Sequence, residues 1–107
     1  MSIYTHPRLE DVTLSTALHA LSDPVRLGIV RRLAGECELS CANSACPAVP
    51  KSTLSNHFKV LRSAGLIRTR ASGREFLSVL RREEFDARFP GLLDTILAQP
   101  AEPQPVS

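Results

Sequence analysis

A chain of 107 residues with 43% hydrophobic and 22% charged residues has the make-up of one ordinary globular domain. Its apolar runs are only a few residues long, far short of the roughly 20 that a bilayer crossing needs, and nothing in it resembles a signal peptide, so a cytoplasmic protein with no membrane partner is expected. The net charge of +2 conceals a strong local bias, because residues 51–82 hold eight of the 13 Lys and Arg residues against one acid, Glu75.

Residues 1–8 show no period and are expected to form a flexible N-terminus. Over 9–21, Leu14, Ala17, Leu18 and Leu21 follow the i, i+3, i+4, i+7 rule of an amphipathic helix. Asp23 suits an N-cap and Pro24 a first helical position, so a second helix starts there and runs to about Ala34, with Gly35 as its stop. Val25, Leu27, Ile29, Val30 and Leu33 surround most of that cylinder, which predicts a central, largely buried helix. Residues 36–49 carry no clear pattern; a short helix near 41–45 is allowed, closed by Pro47 and Pro50.

The spacing predicts the best-defined helix over 52–64. Leu54, Phe58 and Leu61 form one stripe, and Ser52, Ser55, Asn56, Lys59 and Arg62 the opposite one. Gly65 stands where a left-handed C′ residue belongs, with Leu66 able to fold back on Leu61. Residues 67–70 and 75–80 read as strands joined by a tight turn at Ser72-Gly73. A last helix over 83–98 is interrupted at Pro90-Gly91. Leucine-rich faces at both ends of so short a chain predict a dimer interface. The Pro-rich stretch 99–107 is expected to be disordered. Residues 9–98 then form the one folded domain.

A helix can enter the major groove when one face is anchored by apolar contacts and the other presents short polar groups. Ser52, Ser55, Asn56 and Lys59 meet that condition, flanked by His57 and Arg62. Arg68, Arg70 and Arg74 cluster near the hairpin turn, where they would clamp phosphates. The plainer readings are a solvated helix face and a charged edge that discourages strand pairing.

Two segments together resemble the ArsR/SmtB family of winged helix-turn-helix repressors: ALSDPVRLGIVRRLA, and KSTLSNHFKVLRSAGLI with Ser55, His57, Leu61, Gly65 and Leu66 at the family's spacing. The resemblance spans residues 14–80. It implies a mainly α fold with a small β-hairpin, and a homodimer through the first and last helices. It also implies two recognition helices on an inverted-repeat operator in double-stranded DNA, with repression relieved by an effector. Carried over by position, Lys51, Ser52, Thr53, Ser55, Asn56, His57 and Lys59 would approach DNA, and Arg70, Gly73 and Arg74 would form the wing.

Cys37, Cys41 and Cys46 lie within ten residues. Three readings stay open for them: soft-metal or metalloid ligands, redox thiols, or small packing groups. The resemblance is incomplete here. Arsenic-type members carry a Cys-x-Cys pair that only Cys41 falls near, and the last helix lacks the histidines of zinc-type members. A cofactor therefore stays unassigned. No phosphate-binding glycine loop, paired carboxylates or nucleophile–base pair is present, so no enzyme is expected. The competing function is a winged-helix protein-interaction module, against which the three arginines near the turn argue.

Overall fold

The computed structural model describes residues 6–35, 39–40, 50–73 and 75–100. Within them run α1 (Leu14–Ala20), α2 (Pro24–Gly35), β1 (Leu39–Ser40), α3 (Lys51–Ser63), β2 (Ile67–Ser72), β3 (Glu75–Leu80), α4 (Arg82–Arg88) and α5 (Leu92–Leu97). Cys37, Cys41, Cys46, Arg74, the short helix expected near 41–45, and residues 1–5 and 101–107 of the two expected flexible ends lie outside the described residues.

The single helix expected over 9–21 is two pieces. Leu9–Asp11 form one 3-10 turn, Val12 and Thr13 are extended, and α1 starts after Thr13. Two forces make the break. The Thr13 hydroxyl accepts from Thr16 N–H at 3.2 Å, a side-chain cap on a new helix. Arg88 takes the carbonyls of Leu9 and Val12 (both 3.1 Å), which a continuous helix would need for its own ladder.

Asp23 does cap α2: one carboxylate oxygen accepts from Val25 N–H at 2.9 Å and Arg26 N–H at 3.1 Å. Val25, Ile29, Val30 and Leu33 are buried as the pattern predicts, and Leu27 is half-buried against the same core. The stripe Leu54, Phe58 and Leu61 seats α3 on the same core. Its end is a Schellman motif: Leu66 N–H reaches Leu61 O at 3.1 Å and Gly65 N–H reaches Arg62 O at 3.0 Å, with Gly65 at φ 74°. A Cβ on Gly65 would stand 2.8 Å from a Leu9 methyl and 3.3 Å from a Val12 methyl, so both backbone shape and space demand glycine.

The sheet has the order β1-β3-β2, all antiparallel. The sequence suggests only the hairpin, since β1 is two residues long and too short to show alternation. The ladder of β2 and β3 continues to Ser72 opposite Glu75, so β2 is longer than 67–70 and the turn falls one residue later than Ser72-Gly73. Gly73 at φ 61° opens that turn. Inside the sheet, Thr69 and Ser78 face each other across the strands and share a buried hydroxyl–hydroxyl bond of 2.8 Å.

The last helix is divided as expected, at Phe89–Gly91, where Gly91 takes φ 80°. Phe85, Phe89 and Leu93 close the core, the two rings 5.0 Å apart and tilted by 50°. No helix among the described residues is long and apolar enough to cross a membrane.

The segment before α1 is strapped down. Thr69 N–H donates to Nε2 of His6 at 3.0 Å, and Arg81 donates to Pro7 O at 2.9 Å. Burial, then the positive charges of Arg81, Arg68 and Arg62, lower the pKa of His6. The neutral ring is also the only form whose Nε2 can accept a hydrogen bond.

Two predictions follow from these contacts. Gly65→Ala should cost about 1–3 kcal/mol of unfolding free energy in a denaturant titration, from the strained φ and the Leu9 overlap; an unchanged midpoint would refute the close approach. For His6, a folded pKa below the ordinary value near 6.5 means that its stabilisation is complete above that pH and fades as the pH falls through it. The stability gap between wild type and His6→Ala should therefore shrink between pH 7.5 and pH 5.5, and a gap that widens would contradict the neutral-acceptor role.

Candidate nucleic-acid interface

With Leu54, Phe58 and Leu61 turned inward, α3 presents Ser52, Thr53, Ser55, Asn56 and Lys59 to solvent. Their hydroxyls, amide and ammonium are the donor and acceptor types that read base edges or hold phosphates. Lys51 opens the helix, and Arg62, half-buried, lies in its last turn. The Schellman ending passes the chain directly into β2, and α3 packs against that strand, so the helix and the hairpin are neighbours in the fold.

The hairpin's arginines divide. Arg70 is exposed towards the turn, and Gly73 is exposed at it. Arg68 sits at the base and pairs with Glu84 of α4 at 3.0 Å. Glu84 also receives Arg81 at 2.8 Å, and that hydrogen bond, aided by the charges of Arg81 and Arg68 and opposed by desolvation, holds its carboxyl below the usual range. Glu84 is thus an anion over the working pH range and partly neutralises the base of the hairpin. Arg68 points to the same strand face as Arg70, and Glu84 holds its guanidinium.

His57 is placed differently from its neighbours on the polar face. Its ring is 12% exposed, and Nδ1 lies 3.1 Å from a terminal nitrogen of Arg26. Arg26 is itself buried, 8% exposed, and its other donors meet Ala20 O at 2.8 Å and His19 O at 3.0 Å. A guanidinium can only donate, so Nδ1 is the acceptor and the ring proton resides on Nε2. Asp23 stands 3.9 Å from the same Nδ1 while capping α2. Arg26 lies within the ALSDPVRLGIVRRLA segment, but its role is not legible there, because its guanidinium partners are six, seven and 31 residues away.

The three cysteines lie outside the described residues, and among the described residues no group of three or more His, Cys, Asp or Glu side chains comes together to hold a metal.

Known proteins resemble this chain in sequence and fold. A family model described as a helix-turn-helix domain matches residues 21–70, from the end of α1 to β2. The uncharacterized HTH-type transcriptional regulator YceK of Bacillus subtilis (strain 168) is 40% identical over 99 residues, covering 89% of this chain and 97% of its own length. The crystal structure of an ArsR family transcriptional regulator superposes with a TM-score of 0.65 at 26% identity, over 77% of this chain and 90% of that one. The transcriptional repressor BigR from Xylella fastidiosa gives 0.60 at 27% identity, over 81% of this chain and 88% of its own.

Proposed function

This chain belongs to the ArsR/SmtB-type winged helix-turn-helix transcriptional regulators, and on that premise we propose that it represses transcription as a cytoplasmic homodimer on an inverted-repeat operator. DNA binding is the function that the relatives and the fold support. The observation that carries the finer reading is the polar face of α3, exposed beside a basic hairpin while its opposite face is locked in the core. Ser52, Thr53, Ser55, Asn56 and Lys59 enter the major groove, with Lys51 and Arg62 on its phosphates. Arg70, Gly73 and Arg74 follow the adjacent backbone, and Arg68 adds less, being held by Glu84. The chemistry is recognition and not catalysis.

The homodimer reading is supported by α1, where Leu14 is 51% and Leu18 46% exposed on a helix whose other face is buried. An apolar pair left in water on a seven-residue helix invites a second copy. In α5, Leu92, Ile96 and Leu97 are half-buried and continue the apolar character at the chain's other end. Release of the operator by a metal, a metalloid or oxidation would act through Cys37, Cys41 and Cys46.

The test is a titration of a duplex that the protein selects from a random pool against an unselected duplex. Specific binding should fall steeply with salt, with a log–log slope of roughly −5 if about six phosphates are neutralised. Asn56→Ala should cost about 1–3 kcal/mol on the selected duplex if the amide bonds a base bidentately. Failure of the wild type to select any sequence would sink the reading. For assembly, Leu18→Glu should shift the sedimenting species from dimer to monomer, since a carboxylate cannot be buried unpaired; a dimer that persists removes α1 from the interface.

A further inference from the structure

Leu54, Phe58 and Leu61, with Val60 beside them, seat α3 on the core, but apolar packing is non-directional and sets rotation less sharply than a hydrogen bond does. A turn of about 20° moves a group at the helix surface by about 2 Å, given a side-chain radius of roughly 5–6 Å. A base-edge hydrogen bond tolerates only a few tenths of an ångström. A directional contact off the stripe holds the rotation more tightly than packing alone.

His57 offers it. By helix geometry it lies to one side of the Leu54–Phe58–Leu61 line and next to Asn56 in sequence. Its Nδ1 is held by Arg26, whose other guanidinium nitrogens bond the last carbonyls of α1. One planar group with a fixed fork of donors thus spans from the end of α1 to α3. Resting on the DNA-reading function above, we propose that Arg26 is a positioning residue: through His57 Nδ1 it sets the rotation of α3, and with it the aim of Ser55, Asn56 and Lys59, from the end of α1. The helix offered to a second copy and the helix offered to DNA are then joined by a single buried side chain, so a shift at one is felt at the other. His57 serves through its inner nitrogen and is not required to touch DNA.

The two roles open to His57 separate by substitution. Asn places a carbonyl where Nδ1 stands and can accept from Arg26, whereas Gln places its amide near the Nε2 position. His57→Asn should keep affinity for the selected duplex within about threefold, while His57→Gln and His57→Leu should lose about tenfold or more. Affinity for unselected duplex, which needs charge but not aim, should stay within about twofold in all three. Arg26→Met should match His57→Leu, and the double variant should be no worse than either single one, the mark of a shared contact. Nitrogen-detected NMR of the unmodified protein at pH 7.5 should show His57 as the Nε2–H tautomer.

Rescue by Gln and not Asn would mean direct DNA contact and overturn the proposal. So would an Nδ1–H tautomer, or equal losses on both duplexes. If Arg26→Met does not fold, the Asn, Gln and Leu series and the tautomer still decide. A wild type that selects no sequence at all fails the DNA reading itself; one that selects normally while the variants behave like it fails only the role of Arg26.

Discussion

Short helices end in unpaired carbonyl groups, and this fold depends on arginine side chains to satisfy them. Helices of six or seven residues, such as α1, α4 and α5, are too brief to persist on their own ladders. Their ends must be tied to something else. Arg26 bonds the carbonyls that close α1, and Arg31 those that close α5 (Leu97 at 3.2 Å and Ile96 at 3.3 Å). Arg88 holds the turn before α1, and Arg81 the irregular segment before that turn. Each contact joins segments that the apolar core alone would leave free to slide, and together they give a modest core its definite geometry.

That device changes how the charge of the chain should be understood. Eight basic residues in residues 51–82 suggest a broad DNA-binding surface. Arg81, though inside that window, is buried and committed to Pro7 and Glu84, and Arg68 is paired with the same glutamate. Arg82 is likewise bonded to Asp94, so several of the cations in that window serve the fold itself.

Much of this was legible before any coordinates. The Asp23-Pro24 start, the Leu54–Phe58–Leu61 stripe and the Gly65 ending are local chemistry, in which cap, period and stop lie within one or two turns of the residues they act on. The hairpin and the Pro90-Gly91 break are legible for the same reason. What escaped depends on distant partners. The break at Val12-Thr13 needs Arg88, 76 and 79 residues away along the chain. The strand β1 exists only because β3 is there to pair with it. The inward placement of His57 needs Arg26, which a linear pattern shows as one more polar residue on a helix.

One small contact reaches beyond the fold. Strand β2 lies outermost in the sheet, and Thr69 directs its N–H away from β3, towards the open side. Outer strands with vacant amides are templates on which other chains can grow. The His6 imidazole occupies that amide like a bookend against the last volume on a shelf. A ring from near the start of the sequence thereby takes one of the outward amides of this edge strand out of play for strand pairing.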